Sequence, residues 1–121
     1  MLLFKKKFLE AIRSGTKTQT VRLWNVCRFR AGQRSYIPGV GYIWIDAVDP
    51  VRIEDLTDDD ARLDGFPSAD ALRAELRTLY AEQLAAGYQA YRLRFRRMSE
   101  EEAAVAKSDR IAVKRSRNAR P

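Results

Sequence analysis

A chain of 121 residues with 45% hydrophobic content has the length of one ordinary domain and enough apolar side chains for a single core. Its one cysteine, Cys27, and its lack of histidine exclude an intrachain disulfide, a Cys/His zinc site and histidine-based catalysis, leaving Lys, Thr, Tyr, Asp and Glu for any chemistry. The net charge of +7 is concentrated at the end, where residues 107–121 carry six basic side chains against Asp109 and the preceding body keeps only +2. Such a segment is either an arm that holds phosphates without reading sequence or a solvated end.

Phe4, Phe8, Leu9, Ala11 and Ile12 recur at helical spacing, and Gly15 stands where a helix commonly stops. The following Lys17 to Trp24 reads as a strand with Thr18, Thr20, Arg22 and Trp24 on one face. Cys27, beside Val26, reads as a small core residue. A strand is expected over Gln33 to Ile37, closed by Pro38-Gly39, and a long one over Tyr42 to Ile53, broken or bent near Pro50 because proline cannot donate to a ladder. Trp44, inside an apolar run, is expected in the core.

Thr57 followed by Asp58, Asp59 and Asp60 predicts a short helix ending at Gly65, with the acids as caps and solvated charges. A second helix opens at Pro67-Ser68 and presents Ala69, Leu72, Leu76, Leu79 and Tyr80 as a core stripe. Gln89 to Met98 predicts the last strand, with Tyr91, Leu93 and Phe95 on one face and Arg92, Arg94 and Arg96 facing solvent on the other. Ser99 with Glu102 fits a capping box. The expected organisation is thus a domain over residues 1–98, then a weak helix and a flexible basic tail over 99–121. The apolar runs are too short to cross a bilayer and no cleavable signal pattern opens the chain, so a cytoplasmic protein is expected.

Gly15 to Arg22 packs a permissive glycine, a lysine, three hydrogen-bonding side chains and an arginine into eight residues. Lys17 offers a cation or, if desolvated, an amine base; Thr18 and Thr20 offer hydroxyls; Arg22 offers a fork for phosphate or carboxylate; Trp24 offers a stacking face. Arg28 and Arg30 follow as candidates for backbone contacts. By composition alone the same residues also make a solvated polar strand face.

The run Gly15-x-Lys17-Thr18-x-Thr20-x-Arg22 behind a short amphipathic helix is followed by Gly32-Gln33, a long strand, and Leu56-Thr57 leading into Ala61-x-x-Asp64-Gly65-Phe66. This order resembles the ASCH family over about residues 2–96. The resemblance implies an α+β fold, a small PUA-like mixed β-barrel flanked by short helices, with a cleft between the first helix, the motif strand and the acidic helix. Some members of that family remove acyl groups from N4-acylated cytidine with a lysine, a threonine and a glutamate, and others are described as RNA-binding or RNA-cleaving. Position by position, the resemblance places the catalytic roles on Lys17, Thr20 and Asp64, the last one methylene shorter than the glutamate.

Two functions follow from it. In the first, an RNA- or nucleotide-binding domain seats an unpaired base near Trp24, with Thr18, Arg22, Arg28 and Arg30 as ligand contacts. In the second, an amidohydrolase has Asp64 position Lys17, which activates Thr20 or a water. Neither needs a metal or a cofactor. Strand alternation points Lys17 and Thr20 to opposite faces, so their convergence requires Lys17 to precede the regular ladder, with Gly15 providing the bend.

Overall fold

The computed structural model describes residues 1–118, with side chains as far as Ile111. A 3-10 turn at Lys6–Phe8 runs into helix α1, Leu9–Ser14, which Gly15 terminates with a left-handed φ of 83°. Only a residue without a Cβ takes that conformation cheaply. The backbone N–H groups of Thr16 and Lys17 then fold back onto the carbonyl of Ala11 at 2.9 and 3.0 Å, and strand β1 begins after them, at Gln19–Trp24.

β2 (Arg34–Ile37), β3 (Gly41–Val51) and β4 (Gln89–Arg97) complete a curled half-barrel sheet in the order β1-β4-β3-β2. It is the α+β, PUA-like architecture that the resemblance implied, with every strand pair antiparallel. Pro50 does not break β3. The strand runs through it, pairing Pro50 with Tyr91, and absorbs its irregularity as a register shift between Ile45 and Ala47. Because β2 pairs β3 only as far as Trp44, the later part of β3 is an edge on that side, where a missing N–H removes no ladder bond.

Two apolar clusters cover the two faces of the sheet. Val21, Leu23 and Ala90 pack against Ile53, Leu56, Ala61, Leu72 and Leu76, which come from the 3-10 turn Ile53–Asp55, helix α2 (Asp58–Asp64) and helix α3 (Ala69–Leu79). On the other face Ile43, Ile45, Leu93 and Phe95 meet Leu2, Ile12 and Ile37. Each buried Leu or Ile contributes about 1.5–3 kcal/mol by leaving water. The hydroxyl of Thr57 accepts from the Asp60 N–H at 3.2 Å while the Asp60 carboxylate accepts from the Thr57 N–H at 3.1 Å, a reciprocal cap that starts α2. Ser68 caps α3 through the Ala71 N–H.

Several side chains lie elsewhere than expected. Leu79 is 48% exposed and Cys27 is exposed, since Cys27 follows the end of β1, where the chain has left the sheet. Trp44 alternates with the fully buried Ile43 and Ile45 and so takes the outer face. There its indole donates to Glu102 at 2.7 Å from helix α5, Glu100–Asn118. The Ser99–Glu102 capping box is present. Ala106 is buried, and Arg34 bonds Asp109 at 2.8 Å, so the expected C-terminal helix packs against the rest of the chain as far as Asp109. The last three residues of the expected basic tail lie outside the described residues. A short helix α4, Ala81–Ala85, links α3 to β4.

Candidate functional site

Lys17 enters the site from the bend rather than from the strand. Gly15 turns the chain, the Thr18 N–H bonds the Leu63 carbonyl at 2.9 Å, and the Thr18 carbonyl accepts from Phe95 at 3.0 Å. The entrance of β1 is thereby docked on the last turn of α2. There Asp64 is the final helical residue and Gly65, with φ 91°, is the cap. A Cβ at Gly65 would lie 3.7 Å from Lys17 Cδ, so the lysine stem runs directly over the cap.

The Lys17 ammonium donates to Asp64 Oδ1 at 2.6 Å, to the Gln19 carbonyl at 3.0 Å and to the Asp64 carbonyl. Those contacts match its three N–H donors, and the carboxyl end of α2 adds the negative pole of a helix. Phe8 and Phe4 face the ammonium with ring centroids at 4.8 and 5.6 Å. The shorter carboxylate therefore reaches Lys17 because it sits at the end of its helix, directly beside the lysine's path.

Lys17 is 2% and Asp64 3% exposed, and burial dominates their electrostatics. Desolvation pushes the Lys17 ammonium below its ordinary range despite Asp64, and pushes the Asp64 carboxyl up despite Lys17. Arg22 is likewise lowered by burial. Its Nε donates to the Thr20 hydroxyl at 3.2 Å, a terminal nitrogen donates to the Leu3 carbonyl, and its guanidinium stacks 4.7 Å over Phe4. The Thr20 hydroxyl thus takes its bond from Arg22 rather than from Lys17. Asp64 Oδ2 is buried without a partner.

These groups share one cavity of about 360 Å³, with Lys17, Thr20, Arg22 and Asp64 at its polar end and Phe4, Phe8, Phe66, Leu72, Leu76 and Tyr80 as apolar walls. Its size suits a small organic ligand. Burial also raises the Tyr80 phenol pKa, which keeps the hydroxyl protonated as a donor. Lys5, Glu75 and Leu79 stand at the mouth.

The other expected contacts do not converge here. Trp24 shares the inner face with Thr20 and Arg22 but lies at the far end of β1, about 13 Å from Thr20 at the usual strand rise. There it packs on Phe29 and Tyr91 with centroids at 5.6 and 5.8 Å. Arg28 and Arg30 line a separate surface hollow with Cys27, Phe29 and Gln33. Thr18 contributes its backbone and is not on the cavity wall. The arginine row of β4 is paired rather than open to solvent alone: Arg92 bonds Asp60 at 3.2 Å and Asp49 at 3.6 Å, and Arg96 bonds Asp46 at 3.2 Å.

Asp60, expected as a solvated cap, is buried. Burial alone would raise its pKa, but hydrogen bonds from the Thr57 N–H and the Gln19 amide, with the charge of Arg92, hold it below the ordinary carboxylate range. The aromatic walls were visible in the sequence only as an apolar stripe. Tyr80 was legible only as a member of that stripe and Glu75 carried no signal, because their place at the cavity depends on how α3 crosses β1. Among the described residues no helix is long and apolar enough to cross a membrane, and no group of three or more His, Cys, Asp or Glu gathers as a metal site.

No family model matches the chain and no curated protein matches it in sequence. Solved structures do. A crystal structure of the hypothetical protein PH0355 superposes with a TM-score of 0.67 at 16% identity, over 79% of this chain and 95% of that one. The protein EF3133 from Enterococcus faecalis V583 gives 0.64 at 17% identity, over 76% and 67%. An ASCH domain from Lactobacillus crispatus JV V101 gives 0.62 at 15% identity, over 73% and 68%. At these identities the likeness establishes the fold, which is that of an ASCH domain.

Proposed function

We propose that the cavity between the first helix, β1 and α3 receives a nucleobase, presented by an RNA strand or by a nucleotide. The observation that carries this reading is Asp64 Oδ2, a buried oxygen without a partner, at the polar end of a cavity walled by Phe4, Phe8, Phe66 and Tyr80. A buried acceptor left unpaired costs about 1–3 kcal/mol. A ligand that donates to it recovers that cost, and a flat ring with amino and carbonyl groups on its edge meets both the acceptor and the Thr20–Arg22 donors beside it. The aromatic walls supply stacking, worth about 1–3 kcal/mol per base in single-strand binders. The fold of an ASCH domain is in keeping with RNA binding.

Calorimetric titration with the four ribonucleosides and a short single-stranded oligoribonucleotide tests it. Saturable binding is expected, weakened about tenfold or more in Asp64→Asn, whose amide replaces an acceptor by a donor. Absence of binding by every probe would remove the reading.

A second reading is favoured by the convergence of Lys17, Thr20 and Asp64 on one cavity. In it the site hydrolyses the exocyclic amide of an N4-acylated cytidine. Asp64 positions Lys17, and burial moves the ammonium toward the neutral amine that a general base needs. To act on Thr20 or a water, Lys17 has to release one of its present acceptors. Turnover of N4-acetylcytidine that disappears in Lys17→Ala and Thr20→Ala supports hydrolysis, and an inert wild-type protein across a range of pH rules it out.

A further inference from the structure

The cavity carries its charge on two levels. At the buried end Lys17 and Arg22 face Asp64. At the mouth Lys5 and Lys7, from the segment leading into α1, face Glu75 of α3, with Nζ to Oε1 separations of 3.4 and 3.9 Å. Each level has two cations to one carboxylate, so each is one positive charge in excess. The excess at the buried end holds whichever member of the Lys17–Asp64 pair keeps the proton.

The mouth contacts are placed rather than random. Lys5 and Glu75 both line the cavity, and the Lys7 ammonium stacks 5.0 Å over Phe8, itself a cavity wall. The Glu75 side chain is 32% exposed, against 5% for Asp64, so a ligand seated at the inner end passes it on the way out. Both lysines address the same oxygen of Glu75, a carboxylate held between two ammonium groups.

We infer that Glu75 occupies the place of an anion, and that the natural ligand carries a phosphate which displaces Glu75 from Lys5 and Lys7 while its base reaches Asp64. This rests on the nucleobase reading and adds to it the place where the phosphate of the nucleotide is held. The phosphate is either that of a free mononucleotide or that of a nucleotide within a single strand. Lys5 and Lys7 each add a charge-assisted hydrogen bond. In exchange, two mouth ion pairs, each half-exposed and weak, are given up. The balance favours the phosphate because it offers more acceptor oxygens and more negative charge than one carboxylate.

Calorimetry separates the possibilities through the ratio of nucleotide to nucleoside affinity. The wild-type protein is titrated with each ribonucleoside, with its 5′- and 3′-monophosphates, and with a short single-stranded oligoribonucleotide, at low and high salt. The expected result is about a tenfold preference for one or more phosphorylated forms at low salt, shrinking at high salt. That ratio falls toward one in the doubly substituted Lys5→Gln, Lys7→Gln protein and rises in Glu75→Gln. A preference for the oligonucleotide over both monophosphates assigns the phosphate to a strand, and the reverse assigns it to a free nucleotide. Equal affinity for nucleosides and their monophosphates overturns the inference and leaves the nucleobase reading standing. Failure of every probe to bind overturns the nucleobase reading itself. All three substituted residues are at the surface and outside the core clusters, so the variants are expected to fold, which a thermal melt on each checks.

Discussion

At the residue scale the site is governed by two buried carboxylates on one short helix, whose surroundings drive them in opposite directions. Asp60 has a depressed pKa, so its contribution to stability is present above the unfolded-state value and is lost as pH falls through the folded one. Asp64 has a raised pKa, so its contribution is present below the unfolded-state value and is lost as pH rises through the folded one. Stability measured by urea denaturation from neutral to acid pH therefore falls less steeply in Asp60→Asn than in the wild type, and more steeply in Asp64→Asn. Lys17→Ala leaves Asp64 buried without its cation, which costs about 3–5 kcal/mol and shows as a lowered urea midpoint. That Lys17, Thr20 and Asp64 line one cavity was implied in the sequence only by the family resemblance carried by Gly15 to Arg22 and Ala61 to Gly65. The unpaired Asp64 oxygen was not legible, because satisfaction of a carboxylate depends on atoms brought together from β1 and α2.

At the element scale, two glycines hold the site together by ending helices. Gly15 stops α1 so that Lys17 precedes the ladder, and Gly65 stops α2 beneath the lysine stem. A Cβ at Gly15 would meet nothing within 4 Å, and one at Gly65 would meet Lys17 and Phe8 no nearer than 3.7 Å. The cost of alanine at either position is thus backbone strain alone. Gly15→Ala and Gly65→Ala are expected to destabilise equally, by about 1 kcal/mol each in thermal or urea melts. Helix periodicity, caps and strand alternation located nearly every element from the sequence. What they misjudged were features set by neighbours: Pro50 remains within β3 because β2 stops short of it, and Trp24 stacks on Phe29 and Tyr91 because β1 carries it away from the cleft.

At the scale of the whole molecule, the sheet is closed on one side by α2 and α3 and on part of its outer face by α5. Local sequence could not show the last contact. Trp44 meets Glu102 across 58 positions of chain, and the acidic first turn of α5 by itself reads as a weak, isolated helix. A chain ending at Ser99 loses the cover over Trp44 and the buried Ala106. It is expected to melt at a lower temperature with indole emission shifted to the red, whereas a merely appended tail would leave both unchanged.

The cavity, by contrast, is built wholly from residues 3–80, and the claim that it seats a nucleobase is tested most directly by mapping where a ligand binds. Amide chemical shifts followed by NMR during titration with the four ribonucleoside monophosphates should move at Thr18 to Arg22, at Gly65 and Phe66, and at Leu76 to Tyr80. Shifts confined to Arg28 to Gln33, or no shifts with any of the four, would contradict the account.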